Sequence, residues 1–471
     1  MEDRVAIPVS LPHPNPTVSY WQDPPDKIAD LRSTPELPAK VDVAIIGSGI
    51  SGATIAYNIL RRAPETVIVM LEARQASSGA SGRNGGHTKG ATYTTFATDV
   101  EKLGLDEAIK IAKFELKTIR LVHGFAREHG IDCESRRLDT ADIIYNQEDL
   151  DRANKTIEIM RKVMPNDPAS EYKVWNSKET EQRLFVSGAA GSITYEAGSI
   201  NAYTFVIGIL KLCLKRGLNL QTGTAVTQLS RRMEGNSTSW TVTTARGNIQ
   251  AKRVIMATNA YSAAIYPAFQ GVIVPARGQV TAHRPGSHLP PHLPTTYSFN
   301  YGSGYDYMIQ CPDSSKYPGD IVLGGGFVRG INGGLTNYGN TNDAVVESVT
   351  SEYLAASTVE FFGRNWGKDD PAGRVRTEWT GIFAVSPDGY PLVGELPGEP
   401  GLFVSAAFNG HGMALSFLCS EALTSMMFGD NEAALYSWFP KAYKVTTQRL
   451  AQRLRAKERR PTEKVHTKAR L

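Results

Sequence analysis

The chain has 471 residues, with 51 lysines and arginines against 47 aspartates and glutamates, so its formal net charge is +4 at pH 7. This length is more than one compact core usually supports, and it predicts at least two domains. So small a charge predicts no nucleic-acid partner, and no apolar run reaches the length of a membrane span. Four widely spaced cysteines without a C-x-x-C pair exclude a thiol reductase and a zinc ribbon, and no metal site is predicted.

The two ends of the chain predict an arm and a tail. Residues 1–40 are rich in proline and lack any helical or alternating period, which predicts an extended arm over the surface. Residues 441–471 predict a basic tail. The chain stops at Ala469-Arg470-Leu471, a small-basic-leucine tripeptide of the type that the peroxisomal import receptor binds. This ending predicts a peroxisomal protein with that receptor as a partner, and the alternative is a cytoplasmic one.

A dinucleotide site is predicted near the start of the first domain, where residues 41–52 read V-D-V-A-I-I-G-S-G-I-S-G. The near-continuous Val/Ile run is typical of a buried parallel strand. Gly47 permits a tight turn, Gly49 lets the backbone approach a pyrophosphate, and Gly52 lets the next helix pack on the strand. Glu72 ends a second apolar run, where its carboxylate can accept hydrogen bonds from ribose hydroxyls. The predicted contacts are Gly47, Ser48, Gly49, Ile50, Ser51, Gly52, Glu72, Ala73 and Arg74.

The rest of the chain alternates between residue patterns typical of helices and patterns typical of an antiparallel sheet. Apolar residues at helical spacing predict one long helix over 100–129 and another over 149–163. Residues 266–376 are rich in Pro, Gly and Tyr and predict an antiparallel sheet, whereas 381–428 return to strand, turn and helix. We therefore predict an α/β protein (α+β overall), with a discontinuous Rossmann-like domain and an inserted antiparallel-sheet substrate domain. The predicted boundaries are 41–135, 176–265 and 381–440 for the first domain, and 136–175 and 266–380 for the second.

Further motifs carry a resemblance to a known family. They are the loop Ser81-Gly-Arg-Asn-Gly-Gly86, the turn Pro275-Ala-Arg-Gly-Gln279, the segment Pro387-Asp-Gly-Tyr-Pro-Leu-Val-Gly394, and Gly410-His-Gly412. With the glycine fingerprint, they resemble the D-amino-acid-oxidase-like FAD oxidoreductases, the clan of sarcosine oxidase, glycine oxidase and gamma-glutamylputrescine oxidoreductase. The first loop is most similar to the last of these and to its fungal relatives. The resemblance covers roughly 41–428 and implies FAD rather than NAD.

This resemblance implies further cofactor contacts. It assigns residues 81–89 to a loop around the ribityl chain and ring of the flavin. The glycine turn at residues 410–413 opens a helix, whose amides and dipole can face the negative charge of the reduced ring. The implied contacts are Ser81, Arg83, Asn84, Gly85, Gly86, His87, Val226, Ala257, Asn259, Gly410, His411, Gly412 and Met413. Sarcosine oxidase binds its flavin through a cysteine, whose place here is near Gly381, far from all four cysteines. We therefore predict noncovalent FAD, with a histidyl bond through His87 as the alternative.

The resemblance also implies an activity. Family members oxidise a carbon–nitrogen bond: hydride leaves the carbon next to a neutral amine for flavin N5, and the imine hydrolyses. The chain is thus predicted to be an FAD-dependent oxidase of an amine or amino acid that reduces O2 to H2O2. The first alternative is a dehydrogenase with a quinone or flavoprotein acceptor, and the second is a flavin-binding protein without turnover.

Candidate catalytic and substrate residues follow from the same resemblance. A cation near the flavin stabilises developing superoxide, and Lys89 or Arg329 can supply it. His87 and Tyr307 complete the predicted catalytic set. An aromatic wall of Tyr305, Tyr307 and Trp379 suits an amine or alkyl group, and Arg277 can bind a carboxylate. Amino acids, N-methyl amino acids and simple amines all stay open as substrates.

Overall fold

The computed structural model describes residues 1–234, 237–302 and 304–454. The strands are β1 Lys40–Ile46, β2 Ile68–Leu71, β3 His87–Thr88, β4 Arg136–Ile144, β5 Lys173–Asn176, β6 Gly191–Ser199, β7 Asn219–Gln221, β8 Val226–Glu234, β9 Ser237–Thr244, β10 Gly247–Met256, β11 Val274–His283, β12 Thr296–Asn300, β13 Tyr305–Gln310, β14 Ile321–Gly325, β15 Val375–Val385, β16 Leu392–Glu395 and β17 Leu402–Ala406. The helices are α1 Glu2–Val5, α2 Ile50–Arg62, α3 Phe96–Leu103, α4 Leu105–Glu128, α5 Gln147–Val163, α6 Ser177–Leu184, α7 Ala202–Leu214, α8 Ser262–Ile265, α9 Ser348–Phe362, α10 Gly412–Phe428, α11 Glu432–Tyr436 and α12 Thr447–Leu450.

The first sheet has the strand order β16-β17-β10-β1-β2-β7, and β8 and β9 extend it from β10. Its central strands are parallel, and Ile46 of β1 lies between Leu71 of β2 and Met256 of β10. Helices α2, α7 and α10 pack against one face of it, and apolar residues of β9 and of the segment after α8 cover the other. Strand β1 is therefore buried on both faces and needs an apolar residue at nearly every position. Because parallel strands end at the same edge, the glycine turn, Glu72 and Ala257 meet there.

The second sheet has the order β15-β11-β14-β13-β12-β4-β6-β3, with β5 paired to β6. All its pairs are antiparallel except β4 with β12. Successive residues of a strand point to opposite faces. On β13, Met308 packs towards α9, while Tyr307 packs against Gly85 of the predicted flavin loop. We call these two sides of the sheet the α9 face and the loop face.

The predicted combination of a Rossmann-like domain with a second sheet is confirmed. The domain boundaries stay a prediction. Strand pairing differs from them at β3, at β6 and at the end of β15, which join the second sheet although 41–135, 176–265 and 381–440 were assigned to the first domain. The long helix predicted over 100–129 is two helices, α3 and α4. Gly104 separates them with φ +88°, a left-handed conformation that ends the first helix.

Both ends of the described chain pack on the body of the protein. The N-terminal arm inserts Trp21, which is 5% exposed, between the two sheets. Beyond α11, Tyr443 is buried, and Arg449 forms an ion pair with Asp388 at 2.7 Å, so the predicted tail is anchored at its start. The predicted import signal at 469–471 lies outside the described residues. Of the helices described here, none is both long enough and apolar enough to span a bilayer.

Candidate cofactor and substrate site

The glycine turn between β1 and α2 leaves no room for side chains. Gly47 has φ +103°, and a Cβ placed there would lie 2.6 Å from the carbonyl oxygen of Ala257. A Cβ on Gly52 would lie 2.0 Å from the carbonyl oxygen of Gly47. Helix α2 therefore starts in direct contact with the end of β1. The amide of Ile50 donates to the hydroxyl of Ser81, and the amides that follow it in the first turn lack acceptors within the helix, so that phosphate oxygens can accept from them. This geometry fits the pyrophosphate of FAD.

Glu72 is held beside this turn at the tip of β2. Its carboxylate accepts from the amide and hydroxyl of Ser48, at 3.0 and 2.6 Å, and from the amide of Arg74 at 3.0 Å. Asn259 lies after β10, which pairs with β1 on the side away from β2. It has φ +43° and accepts a hydrogen bond from the amide of Ala407 at 2.9 Å. Val226 is buried in the core beside β9, and its contact with the cofactor stays a prediction.

Residues 81–89, the cofactor loop, join the turn to the second sheet. The Ser81 hydroxyl accepts from the amide of Ile50 at 2.9 Å, which ties the loop to α2. The Asn84 side chain accepts from the amide of Gly86 at 2.8 Å and donates to carbonyls of the preceding turn. A Cβ on Gly85 would lie 2.5 Å from the Tyr307 ring. The loop therefore lies flat on the second sheet because its glycines permit the contact.

The side chain of Arg83 is structural rather than free for a ligand. It is 2% exposed and donates to the carbonyl oxygen of Thr380 at 2.6 Å and to the hydroxyl of Thr17 at 2.6 Å. Asp343 lies 3.7 Å from it and also pairs with Arg74 at 3.0 Å. Burial lowers the pKa of Arg83 to about 10. Arg83 thus links the arm, β15 and the cofactor loop, and only its backbone is left for FAD.

The N-terminal arm contributes a contact that the sequence patterns did not indicate. The indole Nε1 of Trp21 donates to the carbonyl oxygen of Asn84 at 2.5 Å, and the Ser19 hydroxyl donates to the carbonyl oxygen of Gly82 at 2.6 Å. The only signal in the sequence was the pair Tyr20-Trp21, two large aromatic residues in an otherwise proline-rich segment. The arm therefore positions the loop that carries the predicted flavin contacts.

We expect Trp21→Phe to raise the dissociation constant for FAD about tenfold, because a buried carbonyl left without its donor costs about 1–3 kcal/mol. Quenching of FAD fluorescence by the apoprotein measures this constant. Trp240→Phe is the matched control, since the Nε1 of Trp240 donates to the carbonyl oxygen of Pro400 at 3.0 Å, within the first sheet. Equal losses of FAD affinity in the two variants would contradict a specific role for Trp21.

Two histidines lie together at the end of the loop. The Nε2 atom of His87 lies 2.7 Å from the hydroxyl of Thr296 and 3.3 Å from that of Thr140. Burial, followed by the nearby charges of Lys89 and His411, lowers the pKa of His87 well below its usual value. Burial also lowers the pKa of His411, whose Nδ1 lies 3.0 Å from the carbonyl oxygen of Asn409. Both imidazoles are therefore neutral at pH 7.

Helix α10 begins at this point. His411 is its N-cap, and Gly412 and Met413 are its first residues, so their amides lack acceptors within the helix. Gly410 has φ +82° and open space around it, which brings the turn to the helix start without a side chain. The start of α10 thus offers partial positive charge beside two neutral imidazoles.

Lys89 is not a free cation. It forms a short ion pair with Asp142, whose other oxygen accepts from the hydroxyls of Tyr93 and Tyr195 at 2.6 and 2.8 Å. Lys89 also donates to the hydroxyl of Ser298 at 2.7 Å. The sequence patterns missed Asp142, although one signal was present: it is the single carboxylate in the otherwise uncharged strand segment 140–144.

With this geometry in place, comparison with known proteins decides the family. Residues 42–426 match the family described as "DAO: FAD dependent oxidoreductase". The chain belongs to this family of FAD-dependent oxidoreductases. It is 25% identical over 401 residues to the "Probable oxidoreductase OrdL" of Rhizobium meliloti, covering 83% of each chain. It is 23% identical to the gamma-glutamylputrescine oxidoreductase of Escherichia coli, covering 88% of this chain and 90% of the relative. The predictions of the family and of FAD are confirmed.

Solved structures agree on the fold. Glycine oxidase from Geobacillus kaustophilus superposes with a TM-score of 0.68 at 19% identity, over 87% of this chain and 99% of that chain. L-amino acid deaminase from Proteus vulgaris superposes with a TM-score of 0.68 at 18% identity, over 88% and 98%. At this identity the similarity shows the fold alone. The glycine turn, the cofactor loop and the start of α10 meet at one edge of the first sheet, and the residues present there fit FAD.

The predicted peroxisomal location is wrong. The relatives named above come from bacteria, which have no peroxisomes.

The structure brings two of the predicted tyrosines close to the cofactor loop. Tyr307 lies on the loop face with its ring 6.3 Å from that of His87. Tyr305 is its neighbour on the same face. The centres of the Tyr305 and Tyr307 rings lie 6.3 Å apart, and Tyr305 is 47% exposed. Tyr305 therefore lies at the solvent-exposed rim of this face, and Tyr307 lies between Tyr305 and the cofactor loop.

Three other predicted residues are placed elsewhere, which corrects their assigned roles. Arg329 lies 4.5 and 5.4 Å from the ring centres of Tyr301 and Tyr353, on the α9 face, so it is no cation beside FAD. Arg277 also faces that side. It lies two residues before Gln279 on β11, so both side chains point to the same face, and Gln279 donates to Ser351 of α9. Its guanidinium donates to Asn337 at 3.2 Å. Trp379 is fully buried and donates to the carbonyl oxygen of Arg83 at 2.8 Å, so it supports the loop from below.

Proposed function

We propose that this FAD-dependent oxidoreductase oxidises the carbon–nitrogen bond of an amine or amino acid and passes the electrons to O2, giving an imine and H2O2. The observation that carries the proposal is the convergence of the cofactor loop, the α10 N-terminus and the loop face, with His87, Tyr307 and Lys89 between them. Relatives named glycine oxidase, 4-methylaminobutanoate oxidase and gamma-glutamylputrescine oxidoreductase support this class of substrate.

Bound FAD supplies the electron acceptor for the oxidation of the substrate. The residues that would hold it are the glycine turn with Glu72, the loop backbone from Ser81 to Gly86, and the start of α10. Because α10 begins beside β3 with the amides of Gly412 and Met413 free of acceptors within the helix, these amides can stabilise negative charge there without rearrangement. His411 occupies the N-cap position without a capping hydrogen bond from its side chain, and its neutral ring adds no charge of its own.

The substrate amine must be neutral when its carbon loses hydride, because an ammonium has no lone pair to support the developing imine. A neutral His87 suits this requirement, since its pKa lies well below the usual range. Its Nε2 is held between Thr296 and Thr140, which fixes the ring plane beside Tyr307. We therefore assign His87 and Tyr307 to positioning the amine.

A second candidate, a dehydrogenase with a quinone or flavoprotein acceptor, is favoured by one observation. A cation promotes the reaction of a reduced flavin with O2 only to the extent that its charge is uncompensated. The pairing of Lys89 with Asp142 compensates it, and Arg329 lies on the other face of the sheet.

One experiment tests both candidates. The purified holoenzyme is mixed without oxygen with amines and with D-, L- and N-methyl amino acids, and the flavin absorbance near 450 nm, a general property of oxidised flavins, is followed. Air is then admitted and peroxide is measured. We expect bleaching by one compound class and fast reoxidation with peroxide. Slow reoxidation by air but fast reoxidation by a quinone would support the dehydrogenase, and no bleaching by any compound would overturn carbon–nitrogen oxidation.

A further inference from the structure

We propose that the substrate is an amine that carries no carboxylate next to the reacting carbon, rather than an amino acid. This inference rests on the proposed oxidation of a carbon–nitrogen bond and specifies its substrate. An amino acid bound in a partly buried site needs a cation for its carboxylate, because a carboxylate removed from water without a partner is strongly disfavoured. The question is which cation at this site is available.

Lys89 is the cation nearest to His87 on the loop face, and its charge is already matched. Its side chain is only 14% exposed, and it pairs with Asp142, which is 1% exposed. The ammonium group of Lys89 also donates to the hydroxyl of Ser298, and its nitrogen lies 5.8 Å from the centre of the Tyr195 ring. A carboxylate approaching Lys89 therefore also approaches Asp142, and the two charges largely cancel.

The hydroxyls of Tyr93 and Tyr195 keep this pair in place. Both donate to the same oxygen of Asp142, so the carboxylate has three donors arranged around it and cannot turn away from Lys89 without losing them. The pair is thus a built feature of the site rather than a surface ion pair that a ligand displaces.

The other cations considered for a carboxylate are also committed. Arg83 is buried and linked to Asp343, Thr17 and Thr380. Arg277 and Arg329 lie on the α9 face of the sheet. The side chains that do face the loop around His87 are hydroxyls and rings of Thr140, Thr296, Ser298, Tyr305 and Tyr307. Such groups suit an uncharged polar or aromatic substituent.

The test compares matched pairs that differ only in the carboxylate. Oxidised holoenzyme is mixed anaerobically with benzylamine or phenylglycine, with 2-phenylethylamine or phenylalanine, and with dimethylamine or N-methylglycine, using both enantiomers where they exist. We expect the amine of at least one pair to bleach the flavin about 100-fold faster, per unit concentration, than its amino acid, as expected for a carboxylate buried without a cation.

A variant tests the cause directly. Asp142→Asn leaves Lys89 with an uncompensated charge, so benzoate, a carboxylate without an amine, should bind about tenfold more tightly than to the wild type. Perturbation of the oxidised flavin spectrum measures this binding without turnover. Asp306→Asn is the matched control: Asp306 is equally buried and accepts from the hydroxyls of Tyr301 and Tyr353, but on the α9 face. Its affinity for benzoate should match the wild type.

Each outcome has a defined meaning. Amino acids that bleach as fast as their amines would overturn the inference and leave carbon–nitrogen oxidation intact. No bleaching by any pair would overturn both. A folded Asp142→Asn protein that binds benzoate no better than the wild type would overturn the assignment to the Lys89–Asp142 pair. If this variant does not fold, the matched pairs on the wild type still decide the question.

Discussion

Gly52→Ala is expected to abolish FAD binding and to lower the free energy of unfolding by about 3 kcal/mol, the upper range for overpacking a tight interior. The added Cβ would lie 2.0 Å from the carbonyl oxygen of Gly47 and 3.4 Å from the side chain of Ile45. Neither the turn nor β1 can move without breaking the parallel sheet, so α2 must shift away from it. The amides at its start then no longer face the pyrophosphate.

FAD content of the purified protein and its melting temperature measure the two effects. Gly124→Ala is the control, because Gly124 lies inside α4 with open space around its Cα. Alanine there should stabilise the protein by up to about 1 kcal/mol through helix propensity and leave FAD content unchanged. Normal FAD content in a folded Gly52→Ala protein would show that the site differs from the one described.

Glu115→Gln is expected to stabilise the protein increasingly as the pH rises. Glu115 lies on α4, where its Oε2 atom is buried and, within the described part of the chain, has no hydrogen-bond partner. A Cβ on Gly90 would lie 2.7 Å from this oxygen, so the carboxyl group packs directly behind the end of the cofactor loop. Burial raises the pKa of Glu115 from 4.5 to about 8.

The direction of the effect follows from proton binding. Between pH 4.5 and about 8, the folded protein keeps a proton on Glu115 that the unfolded chain has lost. The contribution of Glu115 to the free energy of unfolding is therefore fully present below pH 4.5 and is lost as the pH rises through about 8. Glutamine does not titrate, so the free energy of unfolding of the variant relative to the wild type should rise across this range by about 5 kcal/mol.

Urea unfolding between pH 4.5 and 9 measures this difference. Glu128→Gln, an exposed position at the end of the same helix, is the control and should follow the wild type at every pH. A constant offset between Glu115→Gln and the wild type would show that the carboxyl group does not titrate in this range.

Local patterns in the sequence account for the parts of the fold that depend on neighbours along the chain. The run at 41–52 predicted a buried strand, a tight turn and a helix start, because each demand falls on residues only a few positions apart. The α5 prediction over 149–163 was also close to the observed Gln147–Val163. The single helix predicted over 100–129 failed because apolar spacing continues across Gly104, whereas the backbone conformation there does not.

The site contacts that were missed join residues far apart in sequence. Asp142 meets Lys89 and Ser298, Asp343 meets Arg74 and Arg83, and Trp21 meets Asn84. No periodicity links such positions, since strand order in the second sheet brings β3, β4 and β12 together. The face to which Arg277 points was equally inaccessible, because a shift of one residue in register exchanges the two faces of a strand. Arg329 lies in a short 3-10 helix after β14, where no strand period applies.

The sequence by itself thus determined the cofactor. The demands of a dinucleotide are local: Gly47, Gly49 and Gly52 meet those of the pyrophosphate and Glu72 that of the ribose, all within 26 residues, 47–72. Only the tertiary structure decided which charges at the substrate site are free. Whether a cation can bind a ligand depends on its partners, and those of Lys89, Arg83 and Arg329 come from distant segments of the chain that only the tertiary fold brings into contact.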